Sequence, residues 1–184
     1  MATPGKQPAR ATTASTVTDV PVPEFSVANP PFTPAVSTLP VSVPEADRVL
    51  LVGENAHVAA IAFRALPGAV VFQLLVKVRG ADGQPPNPPP NIAFADLPEL
   101  IEPGDLSVGA RVTDRQGGTT NLPVYASGGG GDGSYEYIAW LALPAASTTL
   151  HLTASWPDQD LPQRDVRLDL DAIHDAARRA TRIW

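Results

Sequence analysis

The side chains best suited to acid–base or metal chemistry in this sequence are its three histidines, His57, His151 and His174. Histidine titrates near neutral pH and is the commonest general base and metal ligand. No two of the three have metal-site spacing, and none lies in an HExxH motif, so the pattern favours structural roles. His57 is the best candidate, because Glu54 and Asn55 cluster with it at one turn. An enzyme built around His57 is nevertheless the least supported function.

Three glycines, Gly128, Gly130 and Gly133, match the GxGxxG spacing of dinucleotide-binding loops. Such a loop must be followed by a helix whose N-terminus meets the pyrophosphate. Here residues 135–140 alternate as a strand does, so 127–134 is predicted to be a flexible hairpin tip. No serine lies in a GxSxG motif, which leaves a hydrolase nucleophile elbow unsupported.

Carboxylates are dense near the end of the sequence and offer oxygen ligands that suit calcium. The five are Asp158, Asp160, Asp165, Asp169 and Asp171. Their spacing matches no EF-hand loop, and arginines lie among them, so turn and cap roles are favoured. The sequence therefore predicts no metal site and no cofactor.

Two tyrosines, Tyr135 and Tyr137, lie two residues apart and should share one face of a strand, while Trp140 faces the other way. With loops 80–105 and 127–134 they form the candidate site of a small-ligand or carbohydrate-binding protein. The run Pro85–Pro90 has PxxP spacing that an aromatic groove can read, but a tolerated surface insertion is the favoured interpretation.

Composition narrows the classes of function. The 184 residues include no cysteine, which removes disulfides, thiolate catalysis and cysteine-ligated zinc. Lys and Arg number 13 against 19 Asp and Glu, a net charge of −6, so nucleic-acid binding is not expected. No run approaches the ~20 apolar residues of a membrane helix, and no classical secretory signal opens the chain. We expect a location in the cytoplasm or in an intracellularly made assembly.

Residues 46–184 are predicted to form one antiparallel β-sandwich domain with a C-terminal helix. Seven or eight short apolar-alternating segments separated by turn residues indicate the strands. The helix is predicted over 171–182, with Asp171 as N-cap and an apolar stripe that includes Ile173 and Ala176.

Residues 1–45 form a proline-rich, almost uncharged arm that nevertheless carries regularly placed apolar side chains. Proline excludes helix and central strand, so 20–45 favours polyproline II or edge-strand geometry, whereas 1–19 is typical of disorder. Apolar residues on such a backbone suit docking on another surface. The candidate interaction residues are Val22, Phe25, Val27, Phe32, Val41, Val43 and, at the other end of the sequence, Trp184.

Two blocks of the body resemble a family of uncharacterised actinobacterial proteins. The first is Asp47–Ala59, with the sequence DRVLLVGENAHVA. The second gathers Trp140, Leu143–Pro144, Leu150–Pro157, Val166–Asp171 and Ala176–Trp184. The resemblance covers residues 47–79 and 137–184, and it implies a shared fold and a bacterial or phage host context without transferring an active site.

The sequence as a whole favours a non-enzymatic structural or interaction protein. Its arm is expected to dock on a neighbouring subunit by strand addition, as in a particle coat or a virion accessory layer. The ligand-binding sandwich that uses Tyr135 and Tyr137 is the alternative.

Overall fold

The computed structural model describes residues 38–80, 82–86, 90–94 and 102–183. Over these ranges the chain forms two facing β-sheets with one hydrophobic core between them, which confirms the predicted antiparallel sandwich with a C-terminal helix. Residues 1–37 and Trp184, on which most of the interaction predictions fall, lie outside the described residues. The strands are β1 Thr38–Leu39, β2 Val41–Ser42, β3 Arg48–Val52, β4 Ala56–Leu66, β5 Ala69–Val78, β6 Ile92–Phe94, β7 Leu106–Asp114, β8 Thr119–Leu122, β9 Tyr125–Gly131, β10 Ser134–Ala142, β11 Ser147–Trp156, β12 Leu161–Asp169 and β13 Thr181–Arg182, and the helix α1 is Asp171–Arg179.

The first sheet has the order β2-β4-β5-β10-β9, and β3 pairs with β4 beside β2. The second has the order β12-β11-β7-β6, and β8 pairs with β7. Every pairing is antiparallel except that of β6 with β7, which is parallel. The two sheet-edge strands β2 and β9 therefore lie on opposite sides of the same sheet.

The side chains of β5 alternate between the hydrophobic core and the outer face of the sheet. Val70, Phe72 and Leu74 point between the sheets and are at most 1% exposed, whereas Gln73 and Lys77 point outward. Phe72 stacks on Phe63 of β4 with ring centroids 5.0 Å apart. Burying one such side chain stabilises the fold by roughly 1.5–3 kcal/mol, so these alternating positions provide much of the driving force.

The expectation of a flexible glycine tip at 127–134 is wrong. Residues Tyr125–Gly131 pair with β10 along their whole length as β9. Only Asp132 and Gly133 form the turn, with φ of 52° and 75°. Two left-handed central residues make a type I′ turn, whose twist matches that of antiparallel strands. Glycine has little intrinsic strand preference, so the pairing partner rather than local propensity decides this segment.

The helix is shorter than the predicted 171–182, because Ala180 is already extended and residues 181–182 form β13. Leu170 rather than Asp171 occupies the N-cap position, and the carboxylate of Asp169 accepts a hydrogen bond from the Asp171 N–H at 2.8 Å. The apolar stripe is where the sequence places it, with Ile173 and Ala176 each 1% exposed.

Candidate functional site

The root of the arm is built into the sandwich. Val43 is 1% exposed, and its N–H donates to the carbonyl of Phe63 at 2.8 Å. Val41 lies opposite Ala65 and packs half-buried against the same core. Two of the predicted interaction residues, Val41 and Val43, therefore contact the core of their own chain.

A short two-stranded ribbon, which we call the clasp, joins the root of the arm to the last described strand. It pairs Thr38 with Arg182 and Leu39 with Thr181. Two apolar side chains next to this pairing face solvent, Leu39 at 55% and Ile183 at 44% exposure. The clasp thus holds Thr38, the first described residue, against the end of the described chain.

The edge strand β9 has the sequence YASGGGG. From Ser127 onward all of its residues are exposed. A Cβ added at Gly128 or Gly130 would lie 2.1 Å from a carbonyl oxygen of β10, whereas at Gly129 or Gly131 it would meet open space. The strand therefore lies very close to β10 and presents almost bare backbone on its outer side.

The candidate ligand tyrosines lie on the inner face of β10, and the prediction that they share a face is confirmed. Tyr135 is 5% exposed and belongs to the core. Tyr137 is half-buried and meets Phe94 of the other sheet edge-to-face, with centroids 6.1 Å apart. Burial, and secondly the charge of Tyr135, raise the pKa of Tyr137. Trp140, on the outer face, stacks on Tyr125 with centroids 6.0 Å apart.

A polar network that sequence reasoning missed lies on the outer face of the second sheet. His151 Nδ1 and Asp165 Oδ1 are 2.9 Å apart, and His151 Nε2 lies 3.4 Å from the hydroxyl of Thr113. Arg111 also donates to Asp165, while its buried Nε has no partner among the described residues. The order hydroxyl–imidazole–carboxylate is that of a catalytic triad. However, the hydroxyl contact is long and Asp165 is shared with arginine, so the arrangement serves as a cross-strand tie.

This network was hidden from the sequence because its members come from three different strands. His151 lies opposite both Arg111 of β7 and Arg167 of β12. Alternation along a strand predicts that a residue faces outward, but not which residue lies beside it on the next strand. The strand register is the missing information.

His57 lies at one end of the first sheet beside a cavity of about 400 Å³. Arg79 lines this cavity and stabilises the β3–β4 turn. Its guanidinium group donates to Asn55 Oδ1 and to the Glu54 carbonyl, each at 3.2 Å. Lys77 lies opposite His57 and donates to Ser134 at 2.7 Å. Over the ranges that the structure describes, His57 forms no hydrogen bond or ion pair with a carboxylate.

His174 has a structural role on α1. Its Nε2 lies 2.8 Å from the carbonyl of Ser147, so that nitrogen donates and ties the helix to the start of β11. A groove of about 770 Å³ beside it is lined mainly by polar side chains of α1 and by Arg115.

The proline-rich excursion between β5 and β7 is described only in part. Near its ends, Asp105 accepts hydrogen bonds from the Asn91 amide at 2.7 Å and the Glu102 N–H at 2.9 Å. Pro86 and Pro90 line a cavity of about 110 Å³ that reaches buried Trp156. This tryptophan belongs to the hydrophobic core.

The described ranges contain neither a metal-binding cluster nor a membrane-spanning helix. No group of three or more His, Asp or Glu side chains there is arranged to hold a metal ion. No helix of this part of the chain has the length and apolar character needed to cross a membrane.

Comparison with known proteins adds little. No family model matches the sequence, and no curated protein matches it. A solved structure described as the conserved domain protein from Bacillus anthracis is similar over 68% of this chain, with 14% identity and a TM-score of 0.39. This chain spans 48% of that protein's length. The resemblance to an actinobacterial family stays a prediction that none of these comparisons tests.

Proposed function

We propose that this protein is a non-enzymatic interaction protein whose N-terminal arm docks on a neighbouring subunit of an assembly. The main support is the anchoring of the arm's root. Val43 is buried in the core and Thr38–Leu39 are held in the clasp, so the preceding segment starts from a fixed position on a rigid sandwich. A rigid root lowers the conformational entropy lost when the arm docks.

The composition of the arm gives the second support. Between residues 20 and 36 the sequence places Val22, Phe25, Val27 and Phe32 among prolines. Such a segment buries its apolar side chains by lying along another surface, because its prolines prevent it from building a sheet or helix of its own. Coat or accessory-layer assemblies are the kind of particle in which this device is useful.

The proposal is tested by measuring mass in solution by light scattering. Full-length protein is compared with a variant in which Val22, Phe25, Val27 and Phe32 are all serine, and with a control in which Thr12, Thr13, Thr16 and Thr18 are serine. We expect the wild type and the control to form a species larger than a monomer and the apolar-to-serine variant to be monomeric. A monomeric wild type, or a variant that keeps the wild-type mass, would overturn self-assembly through the arm.

The ligand-binding alternative receives less support from the geometry. Stacking a sugar requires exposed aromatic faces, whereas Tyr135 is buried and Tyr137 already packs on Phe94. The enzyme alternative requires a carboxylate in contact with His57, which the described residues do not provide.

A further inference from the structure

We infer that the outer edge of β9, Tyr125–Gly131, accepts residues 20–28 of a second copy of this chain as an added strand. The inference rests on the proposed function and names the surface that receives the arm. It follows from three features of the described residues: an unprotected sheet edge, the direction of its backbone groups and the position of the arm's root.

Sheet edges are usually protected against strand addition by charge, proline, bulges or short strands. In the second sheet, β12 carries Pro162 and four charged side chains, and Leu161 at its start packs against Gly53 beside β3. At the opposite edge of that sheet, β6 and β8 have three and four residues.

The edges of the first sheet differ from each other. On one side, β2 has two residues, and a 3-10 helix that starts at Pro44 separates it from β3. On the other side, β9 has seven residues with neither proline nor charge. β3, which pairs with β4 on the same side as β2, carries Arg48 and a register shift between Val49 and Leu51. Of the edges that the structure describes, β9 is the one without such protection.

The turn after β9 determines which of its backbone groups point away from the sheet. In a two-residue hairpin the flanking residues, here Gly131 and Ser134, form a hydrogen-bonded pair, and such pairs then alternate along the ladder. The N–H groups of Ala126, Gly128 and Gly130 therefore point outward. Within the described residues no strand pairs with this outer side, so these donors and the matching carbonyls suit an incoming strand.

The surface around β9 has space and apolar side chains that suit contact with the apolar residues of the arm. Glycines leave no steric barrier on the outer side, and the neighbouring outer face carries Ile138 at 59% exposure with the stacked pair Trp140 and Tyr125. Apolar side chains of an added strand would cover this patch. Pro21 and Pro23 remove donors from one edge of such a strand only, so it can pair with β9 and then end the sheet.

The position of the arm's root favours a second copy as the donor. The root enters the first sheet at β2, on the opposite side of that sheet from β9, and Thr38–Leu39 pair with β13 rather than with this sheet. Donor and acceptor edges on opposite sides let the arm of each copy extend the sheet of the next. Such head-to-tail contacts close into rings or continue as filaments.

Cysteine cross-linking tests the contact directly, since the native chain has no cysteine. Full-length Val27→Cys and Gly129→Cys proteins are mixed and oxidised, and the disulfide-linked peptides are identified by mass spectrometry. In antiparallel pairing, odd-numbered residues of the arm lie on the same face as Gly129. Gly129 is suitable because a Cβ there meets open space. The control partner is Thr120→Cys, an exposed position on β8.

We expect cross-linked dimers between Val27→Cys and Gly129→Cys, and loss of that product with Thr120→Cys. Equal yields with both partners would overturn β9 as the acceptor. A disulfide that forms within single chains of the Val27→Cys/Gly129→Cys double variant, but not between mixed single variants, would show that the chain's own arm is the occupant and overturn the second copy.

A second pair of variants separates this inference from the proposed function. Ala126→Pro removes one outward N–H of β9, whereas Ala126→Ser keeps it, and circular dichroism checks that both fold. Loss of the larger species in the proline variant alone supports β9. A larger species that persists in Ala126→Pro but disappears in the arm variant would keep the proposed function and overturn β9 as its receiving surface.

Discussion

At the scale of single residues, neighbours on adjacent strands determine the chemistry of the polar groups. Asp165 is shared between His151 and Arg111, so a carboxylate that reads as a solvated turn residue in the sequence is a tie between β12, β11 and β7. The inward or outward direction of these side chains was predictable from alternation. Their partners were not, since these depend on registers between segments distant in sequence.

Tyr137 provides a prediction at the same scale. Its pKa is raised in the folded protein, above the ordinary value of 10.0, chiefly because burial disfavours the phenolate. The folded state therefore holds this proton more tightly than the unfolded state does. The resulting stabilisation is complete below the unfolded pKa, and it is lost as the pH rises through the folded pKa.

We expect the Tyr137→Phe protein to lose less unfolding free energy than the wild type between pH 7 and pH 11, measured by urea unfolding at each pH. At pH 7 both side chains are neutral, so the difference between the proteins there serves as the control. An identical decrease in both proteins would show that Tyr137 does not contribute to the alkaline transition.

At the scale of elements, the short segments with two-residue alternation that indicate strands in the sequence include β7, Leu106–Asp114. β9 was missed because glycines carry no alternation to read. The end of α1 was missed because its last predicted residues are recruited by pairing with Thr38–Leu39. In both cases a partner elsewhere in the chain decides the conformation.

The two kinds of glycine in β9 make a matched pair of substitutions. Gly128→Ala would place a Cβ 2.1 Å from the Glu136 carbonyl oxygen, whereas Gly129→Ala meets open space. We expect Gly128→Ala to lower the unfolding free energy by about 2 kcal/mol or more, and Gly129→Ala to change it by less than about 0.5 kcal/mol. Equal unfolding free energies for the two variants, measured by thermal or urea denaturation, would mean that β9 can move away from β10 with little loss of stability.

At the scale of the whole molecule, the predicted boundary between arm and domain, at 45/46, lies in the 3-10 helix Pro44–Ala46, after two short paired strands. The sequence changes character after Pro44, but the chain is already part of the fold from Thr38. The amino-acid composition shows only where the proline-rich segment ends. A proline-rich segment can still belong to the fold, because proline is compatible with an edge strand when its missing N–H points away from the neighbouring strand. The sequence therefore did not predict that the fold already begins at Thr38.

Two truncations test this boundary. Removing residues 1–37 leaves every described contact in place, so the unfolding free energy should change by less than about 0.5 kcal/mol. Removing residues 1–43 deletes β1, β2 and the buried side chain of Val43, which we expect to cost about 2–4 kcal/mol. Urea denaturation monitored by tryptophan fluorescence measures both. Equal stabilities would show that the root contributes nothing to the sandwich.

The clasp also sets an order of events during synthesis. Its two strands lie at opposite ends of the described chain, so a ribosome completes nearly the whole sandwich before Thr181 and Arg182 emerge to meet Thr38 and Leu39. Pairings of such long sequence separation form late in folding. Thr38 and Leu39 of a nascent chain therefore stay without this pairing until Thr181 and Arg182 have left the ribosome.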